Sequence, residues 1–245
     1  MPIKVLVNGA FGRMGQMTVK TITEHPSFEL VGQTGRDYDL KKAIKDSHAQ
    51  VVIDFTLPDS VFANTLMIIE AGAHPVIGTT GLKPEQIRSL QERAAALKLG
   101  GMIAPNFSLS AVLMMKYARE IAKYLPHVEI IELHHDGKVD SPSGTALRTA
   151  EMLAESIKTN TVEQNKSKRE TIPGARGATY HGIPIHAVRL PGLLAHEQII
   201  FGNAGETLTL RHDSIDRQCF MPGVCLACEK VLTLDSLVYG LEEIL

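Results

Sequence analysis

The sequence predicts an α/β protein: a doubly wound parallel sheet followed by a second, mostly β unit with an open mixed sheet. Three observations carry this. Short apolar runs alternate with helical stretches through the first hundred residues. A glycine-rich turn follows the first of those runs. After Asn106 the rhythm changes to helix, strand and then three strands in series.

Taken in order, Ile3–Val7, Phe28–Gly32, Val51–Phe55, Pro75–Ile77 and Gly101–Ala104 read as buried parallel strands, because they are apolar without alternation. Between the first two, Met14, Met17, Thr18, Thr21 and Ile22 recur at helical spacing and mark one covered face. Pro84-Glu85 opens a helix expected to run to Leu99. In the second unit a helix from Ser110 to Tyr124 leads to a strand, Val128–Leu133. Ser143 then caps a helix running to Lys158. Residues 159–179 are polar and end in Pro173-Gly174-Ala175-Arg176-Gly177, so they read as a long exposed loop. Ile183–Leu190, His196–Gly202 and Glu206–Arg211 read as strands, and the chain is helical again from Arg217 to Leu232. That last helix is expected to return to the first domain. The division is then 1–105 with 217–245 against 106–216.

Composition narrows the function classes. A net charge of −2 over 245 residues gives no electrostatic reason to expect nucleic acid or an anionic membrane as partner. No apolar run approaches the roughly 18 residues of a membrane span. The chain opens on a strand with no room for a signal peptide, so a cytoplasmic protein is expected. Cys225 and Cys228 stand C-x-x-C, the spacing of a redox pair or half a zinc site. No second ligand pair matches it, and neighbours Val224, Leu226 and Ala227 favour thiols packed as small apolar groups. No metal site is expected.

Directly after the first strand comes Gly9-Ala10-Phe11-Gly12-Arg13-Met14-Gly15. Gly9 and Gly12 permit a tight turn and close approach to a pyrophosphate. Gly15 lets the following helix pack on the sheet, and the helix start supplies partial positive charge. By itself a glycine-rich turn is weak, but its place in a strand–turn–helix unit makes a Rossmann-like dinucleotide site the better reading. After the second strand, where a carboxylate selects NAD and an arginine suits NADP, the segment reads Gln33-Thr34-Gly35-Arg36-Asp37. Arg36 points to NADPH, while Asp37 keeps NADH open. Gly78-Thr79-Thr80-Gly81 and Ala104-Pro105-Asn106-Phe107 fall at strand ends where ligands bind, although such residues are also ordinary turn formers.

The densest chemistry lies in Glu132–Ala146, ELHHDGKVDSPSGTA. His134 and His135 follow a strand, so their side chains should diverge, which argues against a shared metal. Lys138 adds a cation. Ser143-Gly144-Thr145 opens a helix whose free amides and Thr145 hydroxyl suit a carboxylate, and equally serve as a plain N-cap. An acid/base group, a cation and an anion seat in one loop suit proton transfer on a carboxylate substrate.

These motifs together are similar to the bacterial 4-hydroxy-tetrahydrodipicolinate reductase (dihydrodipicolinate reductase) family over the full length. The similarity runs through Gly9-x-x-Gly12-x-Met14-Gly15, Asp54-Phe55-Thr56, Gly78–Gly81, Ala104–Ser108, Glu132-x-His134-His135-x-x-Lys138-x-Asp140-x-Pro142–Ala146, Gly182–His186 and Gly205–Thr209. The resemblance implies a nicotinamide-dependent reduction of a heterocyclic dicarboxylate in diaminopimelate and lysine biosynthesis. It implies His134 as proton donor and acceptor, Lys138 as proton donor, His135 as a substrate contact, and Gly144 and Thr145 on a substrate carboxylate. It further implies cofactor contacts from Gly9, Ala10, Phe11, Gly12, Arg13 and Met14, from Gly78, Thr79 and Thr80, and from Ala104, Pro105, Asn106 and Phe107. A homotetramer assembled through the second domain's sheet, with closure at a hinge near Asn106, is implied as well. The stretch Gly35-Arg36-Asp37 departs from the family's usual acidic arrangement, which leaves cofactor preference open. Another two-domain reductase would share the first domain without explaining H-H-x-x-K followed by S-G-T. A dinucleotide-sensing module would not need both His134 and Lys138.

Overall fold

The computed structural model describes residues 1–157 and 170–245. The chain divides into two compact units, Met1–Leu109 with Arg217–Leu245, and Ser110–Asp216.

The first unit is built on a six-stranded, all-parallel sheet of β1 (Ile3–Asn8), β2 (Phe28–Thr34), β3 (Val51–Asp54), β4 (His74–Ile77), β5 (Gly101–Ile103) and β11 (Leu237–Tyr239). Its order is β11-β5-β4-β3-β1-β2. Every residue of β3 and β5 is buried, as the unbroken apolar pattern requires of strands covered on both faces. Connecting helices are α1 (Arg13–Glu24), α2 (Leu40–Ser47), α3 (Pro58–Glu70) and α4 (Pro84–Ala96). The alternating rhythm alone leaves α2 and α3 unplaced, yet both carry start signals. Asp39 caps α2 by accepting from the Lys42 amide at 3.0 Å, and Pro58 opens α3. Because β1 connects outward to β2 while β3 continues on β1's other side, the order reverses between β1 and β3. Ligands bind beyond the carboxyl ends of strands at such a switch point.

Three boundaries differ from expectation. Helix α4 stops at Ala96 rather than Leu99, since Lys98 adopts φ +51° and the Leu99 amide folds back on the Ala94 carbonyl at 3.0 Å. The stretch 217–232 is a 3-10 turn (Arg217–Phe220), α7 (Met221–Lys230) and a second 3-10 turn (Val231–Thr233). It is not the last element: β11 follows and pairs with β5, three residues being too few to show a period.

The second unit is a five-stranded mixed sheet of β6 (His127–His134), β7 (Ala178–Tyr180), β8 (Ile183–Arg189), β9 (Ala195–Asn203) and β10 (Glu206–Ser214), in the order β10-β9-β6-β8-β7. Helices α5 (Leu109–Ala122) and α6 (Gly144–Ser156) complete it. Alternate residues Val128 and Ile130, Ile183 and Ile185, and Ile199 and Phe201 point to one face and pack with Ala118, Ala146, Ala150 and Leu153. Strand β7 begins inside the stretch read as loop and pairs antiparallel with β8. Residues 159–169 of that stretch, and Lys158, the expected end of α6, lie outside the described residues. Among the described residues no helix is long and apolar enough to cross a membrane.

Candidate active site

In the first unit the glycine-rich turn joins β1 to α1. Gly9 has φ +79°, and a Cβ there would lie 2.3 Å from the Phe55 carbonyl oxygen. A Cβ at Gly15 would lie 2.0 Å from the Gly9 oxygen, so both glycines are required by packing. Gly12 is different. A Cβ there would meet nothing closer than 3.5 Å, so no neighbour among the described residues demands glycine. As N-cap of α1, Gly12 also brings no side-chain acceptor to the first-turn amides. An open glycine over uncapped amides fits a phosphate group, and a dinucleotide's pyrophosphate can be held by the backbone of Gly9–Met14.

Behind this turn sits a polar node that the motifs alone do not reveal. Asp54, fully buried at the end of β3, accepts five hydrogen bonds. They come from Asn8 Nδ2 (2.8 Å), Asn64 Nδ2 (3.0 Å), the Thr56 amide (3.1 Å), Thr56 Oγ1 (2.7 Å) and Thr79 Oγ1 (2.8 Å). Asn8 Oδ1 in turn accepts from Thr34 Oγ1 at 2.9 Å, while the Thr34 carbonyl accepts from the Gly9 and Ala10 amides. One carboxylate therefore fixes the turns after β1, β2, β3 and β4. Phe55 extends the cluster, with its ring edge-on to Phe107 at 6.0 Å. A Cβ on Gly78 would sit 2.1 Å from the Phe55 ring. Thr79 and Phe107 are thus drawn together with the glycine turn. Thr80 and Pro105 are exposed, Ala104 donates to Ile77, and Asn106 Oδ1 accepts from the Ser108 amide at 2.8 Å.

Arg36 and Asp37 are both exposed beyond β2. Phe11 and Tyr38, each about half exposed, lie with ring centroids 5.8 Å apart. A Cβ on Gly35 would come within 3.0 Å of the Phe11 ring. A side chain at position 35 would crowd that ring, which would have to shift by a few tenths of an ångström to admit it.

In the second unit His134 ends β6. Its Nδ1 lies 2.5 Å from Oε2 of Glu132, which has no exposed surface. A carboxylate only accepts, so Nδ1 carries the hydrogen and Nε2 is the ring nitrogen turned away from Glu132. Glu132 is held further by a two-pronged pair with Arg189, both contacts 2.8 Å, and by the Ser143 amide at 3.2 Å. Burial pushes the Glu132 carboxyl up, but His134 and Arg189 outweigh it and hold the group below its ordinary range. Ser143 Oγ caps α6 by accepting from the Ala146 amide at 3.2 Å. Glu132 therefore links the imidazole to the helix start that carries Gly144 and Thr145.

Lys138 Nζ is paired with both Asp140 oxygens at 2.6 and 2.8 Å. That hydrogen bond lowers the Asp140 carboxyl, against a smaller opposing effect of burial. His135, just past the strand, accepts the Lys138 amide on its carbonyl at 3.1 Å and is separate from the Glu132 pair. Sequence reading passed over Glu132 as an acid/base partner and Arg189 altogether. The available signal was a charged residue at an inward position, continuing the alternation of Val128 and Ile130 on an otherwise apolar strand face. Cys225 and Cys228 are buried, and burial, with Glu229 beside it, pushes the Cys225 thiol up to about 11. Among the described residues no group of His, Cys, Asp or Glu could hold a metal ion.

A doubly wound sheet with a glycine turn at its switch point, joined to a unit carrying a carboxylate-held histidine, defines a two-domain, nicotinamide-dependent oxidoreductase. The dihydrodipicolinate reductase N-terminal domain matches residues 3–107 and the C-terminal domain matches residues 110–245, so the chain belongs to the dihydrodipicolinate reductase family. It is 54% identical to a 4-hydroxy-tetrahydrodipicolinate reductase of Coxiella burnetii (strain Dugway 5J108-111), over 100% of both chains. It is 52% identical to a protein of the same description from Legionella pneumophila (strain Paris), again over 100% of both. A dipicolinate-bound dihydrodipicolinate reductase from Paenisporosarcina sp. TG-14 shares 44% identity at a TM-score of 0.90, covering 100% of each chain. A probable dehydrogenase from Thermotoga maritima, 10% identical at a TM-score of 0.67, covering 99% of this chain and 92% of its own, shares the fold alone.

Proposed function

We infer that this chain reduces 4-hydroxy-tetrahydrodipicolinate to (S)-2,3,4,5-tetrahydrodipicolinate with NAD(P)H and loss of water, a step of diaminopimelate and lysine biosynthesis. Family membership supports the reaction. The observation that carries the mechanism is the Glu132–His134 pair tied through the Ser143 amide to the α6 start.

The substrate's hydroxyl leaves as water while the adjoining ring carbon gives up a proton, and a bound reduced nicotinamide would supply a hydride to one carbon of the resulting double bond. The neighbouring carbon then needs a proton, and His134 Nε2 is the group to give it, because Glu132 stabilises the imidazolium through Nδ1. Gly144 and Thr145 seat one substrate carboxylate on free amides and the Thr145 hydroxyl. His135 contacts the substrate, and Lys138 compensates its charge and donates a proton to the departing hydroxyl so that it leaves as water, which requires Nζ to turn from Asp140. Gly9, Ala10, Phe11, Gly12, Arg13 and Met14 hold the pyrophosphate. Gly78, Thr79 and Thr80, with Ala104, Pro105, Asn106 and Phe107, hold the nicotinamide end. Arg36 binds a 2′-phosphate, so NADPH is the preferred cofactor over NADH. The enzyme works in the cytoplasm as a homotetramer. The sheet face turned from α6 supports that assembly, since Ile131, Leu133, Val188 and Ile200 there are only half-buried.

The test is oxidation of NADPH and NADH with substrate generated in situ by a coupled synthase from pyruvate and aspartate semialdehyde. Substrate-dependent oxidation, faster with NADPH, is expected. Absence of oxidation with either cofactor, in folded protein that binds dinucleotide, would leave a sensing module instead. Higher kcat/KM with NADH would overturn the role of Arg36.

A further inference from the structure

Strand β9 carries a second buried carboxyl that the reaction does not use. Glu197 stands directly opposite Glu132 on β6 and opposite His212 on β10, so the three side chains form one row on the helix-covered face. Its Oε1 lies 2.6 Å from Thr149 Oγ1, and its Oε2 is buried without a partner among the described residues. Thr149 Oγ1 is also 3.0 Å from the Thr145 carbonyl, one turn back along α6. A hydroxyl has one hydrogen, and a carbonyl cannot donate. If Thr149 donates to Thr145, the short contact to Glu197 is satisfied only when the carboxyl donates its own proton. An anionic Glu197 would put charge on a buried oxygen that has no donor, costlier than leaving a neutral carbonyl oxygen there, and would set a second negative charge facing Glu132.

We propose that Glu197 is a positioning residue acting as a neutral carboxylic acid. Its O–H donates to Thr149 Oγ1, orients that hydroxyl onto the Thr145 carbonyl, and keeps negative charge away from the Gly144–Thr145 anion seat. The proposal rests on the reading of that seat as the substrate carboxylate site. Burial, with Glu132 adding a smaller push, raises the Glu197 carboxyl to about 7 against the opposing Thr149 bond, so the proton is lost within the working range. The charged groups facing it are Glu132, with Arg189 and His134 behind, on one side, and His212, beside His196 and Asp213, on the other. Above neutrality the new charge lies beneath the seat, the Thr149 hydroxyl turns to the carboxylate, and a dicarboxylate binds less well.

Glu197→Gln keeps a donor toward Thr149 but cannot ionise, and Thr149→Val removes the hydroxyl. Dipicolinate, whose two carboxylates stay charged throughout, serves as probe, with binding measured calorimetrically from about pH 6 to about pH 8.5. Wild-type affinity is expected to fall about tenfold over that range, the scale of a buried charge acting on a dianion. Glu197→Gln should hold its pH 6 affinity, and Thr149→Val should bind weakly at both ends. Infrared difference spectra should show a protonated-carboxyl C=O band at pH 6 that is absent in Glu197→Gln. No such band would overturn the protonation. A band with identical pH profiles in wild type and Glu197→Gln would overturn the coupling to the seat. A band with no dipicolinate binding in either protein would instead bring down the substrate-site reading, and the coupling with it.

Discussion

Asp54 in the first unit, at the end of β3, and Glu132 in the second, two residues before the end of β6, are both fully buried carboxylates, yet they keep different company. Asp54 is met entirely by neutral donors, two amide side chains, two hydroxyls and one backbone amide. Glu132 is met by a guanidinium and an imidazole, with one backbone amide. Neutral donors cannot exchange charge with the carboxylate, so the Asp54 node fixes backbone and nothing else. Its reach to the turns after four strands suits a surface that must present amides to a cofactor. Arg189 balances the charge of Glu132, whose other side-chain contact is the His134 imidazole. The first node positions; the second also sets a charged group beside an imidazole, the pair on which the proposed proton transfer rests.

Substitutions sharpen this contrast. The largest effect on stability is expected from Asp54→Ala, which strands several buried donors. The first unit should lose about 3–5 kcal/mol in urea unfolding, and dinucleotide affinity should fall with it. A loss below about 1 kcal/mol would show that the turns hold without the node.

Glu197→Gln gives a smaller, pH-dependent effect. The wild-type carboxyl rises from 4.5 to about 7 on folding, so the folded state holds a proton that the unfolded chain releases. Its contribution is intact below about pH 4.5, declines as pH rises toward 7 and is level above. Glu197→Gln should therefore gain on wild type across that window, reaching about 3 kcal/mol above it. Parallel stability curves would mean that Glu197 is ionised in the fold.

Smallest is Arg36→Ala, expected to cut the NADPH-to-NADH ratio of kcat/KM about tenfold, the worth of one charge-assisted contact. An unchanged ratio would remove Arg36 from cofactor selection.

The two nodes were unequally legible in the sequence. The strands of the first unit show as unbroken apolar runs, and the glycine turn shows by its place after β1. Asp54 is a different matter, because its partners Asn8, Asn64, Thr56 and Thr79 are spread over four segments and meet only once the sheet forms. Strand β11 is too short for a period and exists because β5 offers an edge. In the second unit His134, Lys138 and the Ser143 cap share one local stretch and could be read together. Arg189 is 57 residues from Glu132, so the pair that organises the site is a product of β6–β8 pairing. Glu132 and Glu197 did leave a trace, each a charge at an inward position of an apolar strand.

The claim most in need of testing is that Glu132 works through His134. A double-mutant cycle on kcat, with Glu132→Gln, His134→Ala and the double variant each checked for folding, measures it directly. His134→Ala should lower kcat by about 10²–10⁴, the usual worth of a general acid. Glu132→Gln should lower kcat in the wild-type background and add almost nothing once His134 is gone. Fully additive losses, or a His134→Ala enzyme with normal kcat, would contradict it.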